Sequence, residues 1–304
     1  QSDMTLVKSR TGAENHSLYD AVRGGGKTLY PNLTAEEDSG NLLTFTTDGF
    51  TQNTTNNNDV TVPSRYVAWN WDMGGSNATN TEGSITSTVR ASTTYGQSIV
   101  TYTGTGSVAT VGHGLDSAPN MVIVKNRNNS GGDWKVQHTG LSDGAKVVYL
   151  NSTMAESTES DKFGAFAGAT TFPLNGSHAS VNGNGDTYVA YCFHSVTGYS
   201  KFGSYSGTGS SGNATTGLGF QPAFLLTKRS DSGGDWNIVD NMRSNGSVRT
   251  RLMPNESDAE GDRDITLDSD GFTINTTAAT NNASGGTYIY MAFADTREYA
   301  YWLD

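Results

Sequence analysis

Apolar and polar positions along this chain alternate in short runs, and two of those runs return three times. Met4-Thr5-Leu6-Val7-Lys8, Met121-Val122-Ile123-Val124-Lys125 and Phe224-Leu225-Leu226-Thr227-Lys228 are apolar stretches that end on lysine. An aromatic run begins 58, 63 and 60 residues after those lysines: Tyr66-Val67-Ala68-Trp69-Asn70-Trp71, Tyr188-Val189-Ala190-Tyr191-Cys192-Phe193 and Tyr288-Ile289-Tyr290-Met291-Ala292-Phe293. Successive side chains of a strand point to opposite faces. Val67, Trp69 and Trp71, with Val189, Tyr191, Phe193 and Ile289, Met291, Phe293, are therefore expected to form a core-facing side in each repeat. No window sustains a helical period; runs such as Phe45 to Gln52 and Ile265 to Thr273 cluster β-formers between Gly, Asn and Asp turn signals.

The repeated lysine advances by 117 and then 103 residues. That is too long for a solenoid unit and suits a whole small domain. The expected organisation is all-β, a tandem array of three antiparallel β-sandwich domains of jelly-roll or lectin-like type. Residues 1–95 would form the first, which lacks its opening strand, together with a linker. Residues 96–198 and 199–304 would form the second and third.

Within the second repeat, Ser98 to Tyr102 and the turn Thr103-Gly104-Thr105-Gly106 precede a proline-marked strand start at Pro119. The third repeats this as Lys201 to Tyr205, Ser206-Gly207-Thr208-Gly209 and Pro222. Ser130-Gly131-Gly132-Asp133-Trp134 and Ser232-Gly233-Gly234-Asp235-Trp236 predict hairpin turns, with each tryptophan opening the returning strand. Leu18 is expected in that place in the first repeat. Further strands are expected at Lys146 to Leu150, Phe163 to Ala167 and Thr170 to Leu174. The first repeat has no Tyr-x-Gly-Thr-Gly element, so an edge beside Met4 to Lys8 should need covering. The linker run Ile85 to Val89 is the first choice to cover it, ahead of upstream sequence or a neighbouring subunit.

Composition supports short strands and tight turns: 37 Gly in 304 residues and only 16% charged residues. A net charge of −11 argues against nucleic acid, whose binding needs clustered Lys and Arg. No run reaches the ~20 apolar residues of a membrane-spanning helix, so membrane insertion is not expected. A single cysteine, Cys192, leaves no internal disulfide framework, and its place in an aromatic strand points to packing.

Gly83-Ser84-Ile85-Thr86-Ser87-Thr88-Val89, Ser98 to Gly106, Gly112-His113-Gly114-Leu115 and Met121 to Arg127, with the Asp-Gly-Phe turns at Asp48 and Asp270, resemble an uncharacterised repeat domain of tail-fibre-like and other virion proteins of marine bacteriophages. The resemblance covers nearly the whole chain. It implies a non-enzymatic virion structural protein, a tail fibre, appendage or surface component on the particle exterior. Implied partners are other virion proteins, further copies of the chain in a homo-oligomer and, as a ligand, host surface polysaccharide. It carries over no catalytic residue and no cofactor. The alternatives are a polysaccharide-degrading tail enzyme, which would need two carboxylates facing across a cleft, and a cell-surface adhesion array.

Four residues are candidates for ligand contact. Trp134 and Trp236 could stack on a sugar or fill a core. Lys125 and Lys228, which recur with Lys8, could meet an anion or lay their stems over an aromatic ring and pair with a carboxylate. The acidic stretch Asp258, Glu260, Asp262, Asp264 does not match a calcium loop and is expected to be solvated. Glu36, Glu37 and Asp38 are adjacent in sequence and so poorly placed to face one another. The five histidines show no metal-ligand spacing, and no nucleophile elbow or phosphate loop occurs.

Overall fold

The computed structural model describes residues 2–40, 43–53, 65–245 and 248–295. Antiparallel sheets make up the fold, and among the described residues helix is confined to Ala279–Asn282. Each repeat contributes one principal sheet, and the three share a strand order. In the second it runs Gln97–Thr103, Thr187–Phe193, Met121–Asn126, Lys135–His138, Lys146–Tyr149, Ser157–Thr158. In the third the same places are taken by Ser200–Ser206, Thr287–Phe293, Phe224–Arg229, Asn237–Asn245, Val248–Leu252 and Gly261–Asp262. In the first, Tyr66–Trp71 pairs with Met4–Ser9, which pairs with Ser17–Asp20. A Leu18–Leu29 bridge leads on to the hairpin of Lys27–Thr28 and Asp38–Ser39.

Register is preserved along with order. Leu6 lies opposite Trp69, Ile123 opposite Tyr191 and Leu226 opposite Met291. Because side chains alternate, one face of all three sheets is fixed by that register. These inward faces do not fill three separate cores. Met4, Leu6, Trp69 and Trp71 belong to the same apolar cluster as Met121, Ile123, Tyr191 and Phe193 and as Phe224, Leu226, Met291 and Phe293. The aromatic rings meet edge to face, Trp71 on Phe224 at 5.4 Å and Phe193 on Phe293 at 6.1 Å between centroids, an arrangement aromatic quadrupoles favour. The three sheets thus stand around one central core, whose residues line a small apolar cavity of about 60 Å³.

The outward faces are covered separately. In the second repeat Tyr102, Tyr188, Val147 and Phe172 pack beneath the hairpin-like pair Ala109–Gly112 and Thr171–Leu174. In the third, Tyr205, Tyr288, Leu225 and Phe272 lie under Asn213–Thr216, Gly271–Ile274 and Ile265–Asp268. In the first, Val7, Tyr19 and Leu43 meet the hairpin Leu43–Thr46 and Gly49–Gln52. Burial on both faces explains why the lysine-ended strands read as continuous apolar runs rather than alternating ones. Each fully buried large apolar side chain contributes about 1.5–3 kcal/mol.

The Tyr-x-Gly-Thr-Gly element has a steric reason. A Cβ on Gly104 would lie 2.3 Å from the Gly183 carbonyl oxygen, and one on Gly207 would lie 2.1 Å from that of Ala283. The tyrosine before each glycine stacks on the first tyrosine of the aromatic strand, Tyr102 on Tyr188 at 5.0 Å and Tyr205 on Tyr288 at 4.9 Å.

Several expectations are corrected. The inward faces expected to fill a core in each repeat instead share one apolar cluster, and the first repeat meets the third through His16 on Met253 and Arg10 on Glu260. Residues 78–92 do not belong with the first repeat: Ser87–Ser92 pairs with Gln97–Thr103, and Ala78–Asn80 adds outside it, extending the second sheet. A short hairpin costs less loop-closure entropy than reaching a distant edge, and Ile85 and Val89 gain burial in the second repeat's outer core. The strand missing from the first repeat would lie beside Tyr66–Trp71, because Met4–Ser9 is already paired on both sides. Residues 163–167 form no strand, although Phe163 and Ala167 pack into that same core.

Candidate functional site

The recurring residues converge on the junctions between sheets. Trp134 is fully buried, and its indole N–H donates to the carbonyls of Tyr30 at 3.1 Å and Leu33 at 3.2 Å, in the first repeat. Trp236 is buried likewise and donates to the Tyr149 carbonyl at 2.8 Å, in the second. Neither offers a face to a sugar. The register places His16, not Leu18, at the corresponding position of the first repeat, since Leu18 matches Val136 and Ile238. His16 Nε2 donates to the Met253 carbonyl at 2.9 Å, in the third. One cyclic set of bonds therefore runs from second to first, third to second and first to third.

An asparagine holds each of these residues in place. The backbone amides of His16, Trp134 and Trp236 donate to the side-chain oxygens of Asn32 at 3.1 Å, Asn151 at 2.9 Å and Asn255 at 2.9 Å. Each asparagine directly follows the residue pair that supplies the accepting carbonyl: Tyr30-Pro31-Asn32, Tyr149-Leu150-Asn151, Met253-Pro254-Asn255.

Lys8, Lys125 and Lys228 are wholly buried, and their ammonium groups cap carbonyls rather than meet ligands. Lys125 Nζ donates to Gly132 at 2.8 Å and, across the junction, to Thr34 at 3.1 Å; Lys228 Nζ donates to Arg229 at 2.6 Å and to Thr153 at 3.3 Å. Lys8 Nζ donates to Ser9 and Gly12 within its own repeat. The carboxylate pairing expected for this position is replaced by carbonyl caps at a strand end. Desolvation lowers all three lysines to about 8, because burial disfavours the charged form.

Two buried ion networks reinforce the junctions. Arg23 Nε donates to Asp20 at 2.5 Å, Tyr191 of the second repeat donates its hydroxyl to Asp20 at 2.7 Å, and Arg127 forks onto Glu37 at 2.8 and 2.9 Å. Arg23 also reaches Glu37 at 3.2 Å. At the junction of third and first, Arg243 donates to Asp240 at 2.6 Å, the Trp69 indole to Asp240 at 3.0 Å, and Arg10 forks onto Glu260 at 2.8 and 2.9 Å. Burial alone would lower the pKa of Arg23, but Asp20, Tyr191 and Glu37 raise it. Burial alone would raise Glu37 and Glu260; the arginines on each pull both below the ordinary carboxylate value.

Glu260 thus leaves the solvated role expected for its acidic stretch, and Glu37 serves as an ion-pair partner of Arg23 and Arg127. The sequence signal for these networks is the repeated Asp20-Ala21-Val22-Arg23 and Asp240-Asn241-Met242-Arg243, which spacing alone does not mark as buried. At the remaining junction His138 replaces the aspartate, and its Nε2 donates to the Tyr290 carbonyl at 3.2 Å while Nδ1 accepts from Gly140 at 2.9 Å. Cys192 is buried, which raises its thiol well above the ordinary value. Among the described residues no three His, Cys, Asp or Glu side chains are grouped to hold a metal ion.

This geometry defines an all-β protein whose repeated polar residues join sheets from within. The chain belongs to the family described as a domain of unknown function, DUF7483, which matches residues 1–297. No curated protein matches it. No solved structure matches it either.

Proposed function

We propose that this protein is a non-catalytic structural component of a bacteriophage particle, displayed on its exterior as part of a fibre, appendage or surface layer. The observation that carries this reading is the use made of the chain's chemistry-bearing residues. Trp134, Trp236, Lys125, Lys228 and the Asp-Arg-Glu sets act at junctions between sheets, which suits a rigid body whose outer surface is free to vary. The sequence resemblance to virion repeat domains supplies the setting. Any contact with host polysaccharide falls to the outer loops, and weak contacts of that kind gain from many copies through avidity, by ~10²–10⁴-fold.

The test is mass spectrometry of purified particles from a phage that encodes this chain, with immunogold labelling of intact virions. The reading expects the chain in stoichiometric amounts and gold on the particle surface. Its absence from particles, or cleavage of host polysaccharide by the purified protein, would overturn the proposal.

A further inference from the structure

One place at the outer end of the principal sheet carries opposite charge in the second and third repeats. Leu252 opposite Ile238 corresponds to Val148 opposite Val136, so Arg251 takes the place of Val147. On the next strand Gly261 faces Arg251 as Ser157 faces Val147, and two residues further on Arg263 takes the place of Glu159. The amides of both donate at 2.8 Å, Glu159 to the Ala145 carbonyl and Arg263 to that of Arg249. Arg251 and Arg263 are therefore diagonal neighbours on one face of adjacent strands.

In the second repeat the charges at this place are paired from within. Lys135 and Lys162 reach Glu159 at 3.2 and 2.6 Å, and the Tyr149 hydroxyl donates to the same carboxylate. In the third, Asn237 stands in the place of Lys135, and two half-buried guanidinium groups replace the valine and the carboxylate. Among the described residues, the third-repeat arginines that pair with carboxylates are Arg229 and Arg243. Arg249 donates to the Asp240 carbonyl at 3.0 Å and Arg251 to the Asn237 side-chain oxygen at 3.3 Å, while the buried Nε atoms of Arg251 and Arg263 have no hydrogen-bond partner. Burial lowers the pKa of both, and the charge of Arg251 lowers Arg263 further, to about 10, against the pull of Asp235 and Tyr205. Asp235 accepts from the Asn255 amide at 2.9 Å instead, and Asp258, whose charge acts on Arg251, is exposed.

We propose that Arg251 and Arg263 together bind an oxyanion, the sulfate, phosphate or carboxylate group of a ligand, at the place where the second repeat keeps the Glu159 carboxylate. Guanidinium forks present paired N–H donors that match paired anionic oxygens. The bound anion supplies the counter-charge that Glu159 supplies to Lys135 and Lys162, and it relieves the contact between like charges. This site goes beyond the structural role proposed above and does not rest on it.

Thermal unfolding midpoints of the intact chain, titrated with sodium sulfate and with sodium glucuronate at an ionic strength held constant with sodium chloride, test the site. An anion that binds only the folded state raises the midpoint by mass action. The proposal expects a saturating rise with at least one of the two salts and none with glucose, and the two salts separate an inorganic anion from a sugar carboxylate as the source. Arg263→Glu, which restores the residue of the second repeat, should move half-saturation upward by about tenfold or more, the worth of a lost charged hydrogen bond. Arg251→Val, the second repeat's other residue here, should do the same and serves should the first variant fail to fold. No rise with either salt, or equal rises in the parent chain and the variants, would overturn the proposal. A midpoint that climbs with protein concentration when no oxyanion is added, and that Arg263→Glu makes independent of concentration, would overturn it in favour of a carboxylate from a second copy.

Discussion

The indole N–H of Trp236 donates to the carbonyl of Tyr149 across 2.8 Å and 87 positions of sequence, both residues being buried. The bond is one of the links between third and second repeats, and Trp134 and His16 make its counterparts at the other two junctions. Removing only the donor isolates its worth. Trp236→Phe keeps a large ring and removes this bond while the Ser152 amide still donates to the same carbonyl at 3.2 Å, so the loss is that of one hydrogen bond, about 0.5–1.5 kcal/mol. Chemical unfolding should show the midpoint moving down with little change in slope, and Trp236→Ala should cost more, about 3–5 kcal/mol.

Arg23 and Asp20 are fully buried at their side chains. Breaking such a pair from one side leaves an uncompensated charge, at a cost of about 3–5 kcal/mol. Arg23→Met is therefore expected to destabilise strongly. The double replacement of Arg23→Met with Asp20→Asn should recover part of the loss, and a double-mutant cycle on unfolding free energies reads the coupling.

Acid should loosen the junctions before it protonates the carboxylates. Desolvation lowers His16 to about 3 and His138 to about 4, against ~6.5 in an unfolded chain. A histidine depressed in the folded state stays neutral there while the unfolded chain takes up its proton. Its stabilisation is thus complete above pH ~6.5 and declines as pH falls toward the folded value, by on the order of 1–3 kcal/mol per histidine. Urea midpoints should fall between pH 6.5 and 4, and His138→Gln should flatten that fall.

The alkaline side carries the opposite slope. Lys8, Lys125 and Lys228 sit at about 8 when folded and near 10.4 when unfolded. Between those values the unfolded chain holds more protons, so stability rises with pH. Above pH ~10 the buried tyrosines, whose hydroxyls burial raises, reverse the trend as unfolded tyrosines ionise. Unfolding midpoints measured from pH 7.5 to 11 should peak near pH ~10, and Lys125→Met should remove part of the rise.

The all-β class, the aromatic strands and their inward faces were legible in the sequence because alternation reports which side of a strand is buried. The meaning of that burial was not. Trp69, Tyr191 and Met291 could each have filled a private core, and nothing in local pattern says that three such faces meet. The same limit applies to Trp134 and Trp236, whose hydrogen-bond partners lie in another repeat, and to Lys125, which caps Thr34 from the neighbouring sheet. His16 escaped because its side chain differs from tryptophan, although the Asn32 that holds it is repeated. The linker's β-run was visible at Ile85 to Val89, but its partner was decided by the short connection to Gln97.

Calorimetry on the intact chain tests most directly whether the three repeats form one body around a shared core. A single transition is predicted, with calorimetric and van't Hoff enthalpies equal, and Trp236→Phe should shift that whole transition downward. Two or three separable transitions, or a Trp236→Phe shift confined to one of them, would contradict the shared core.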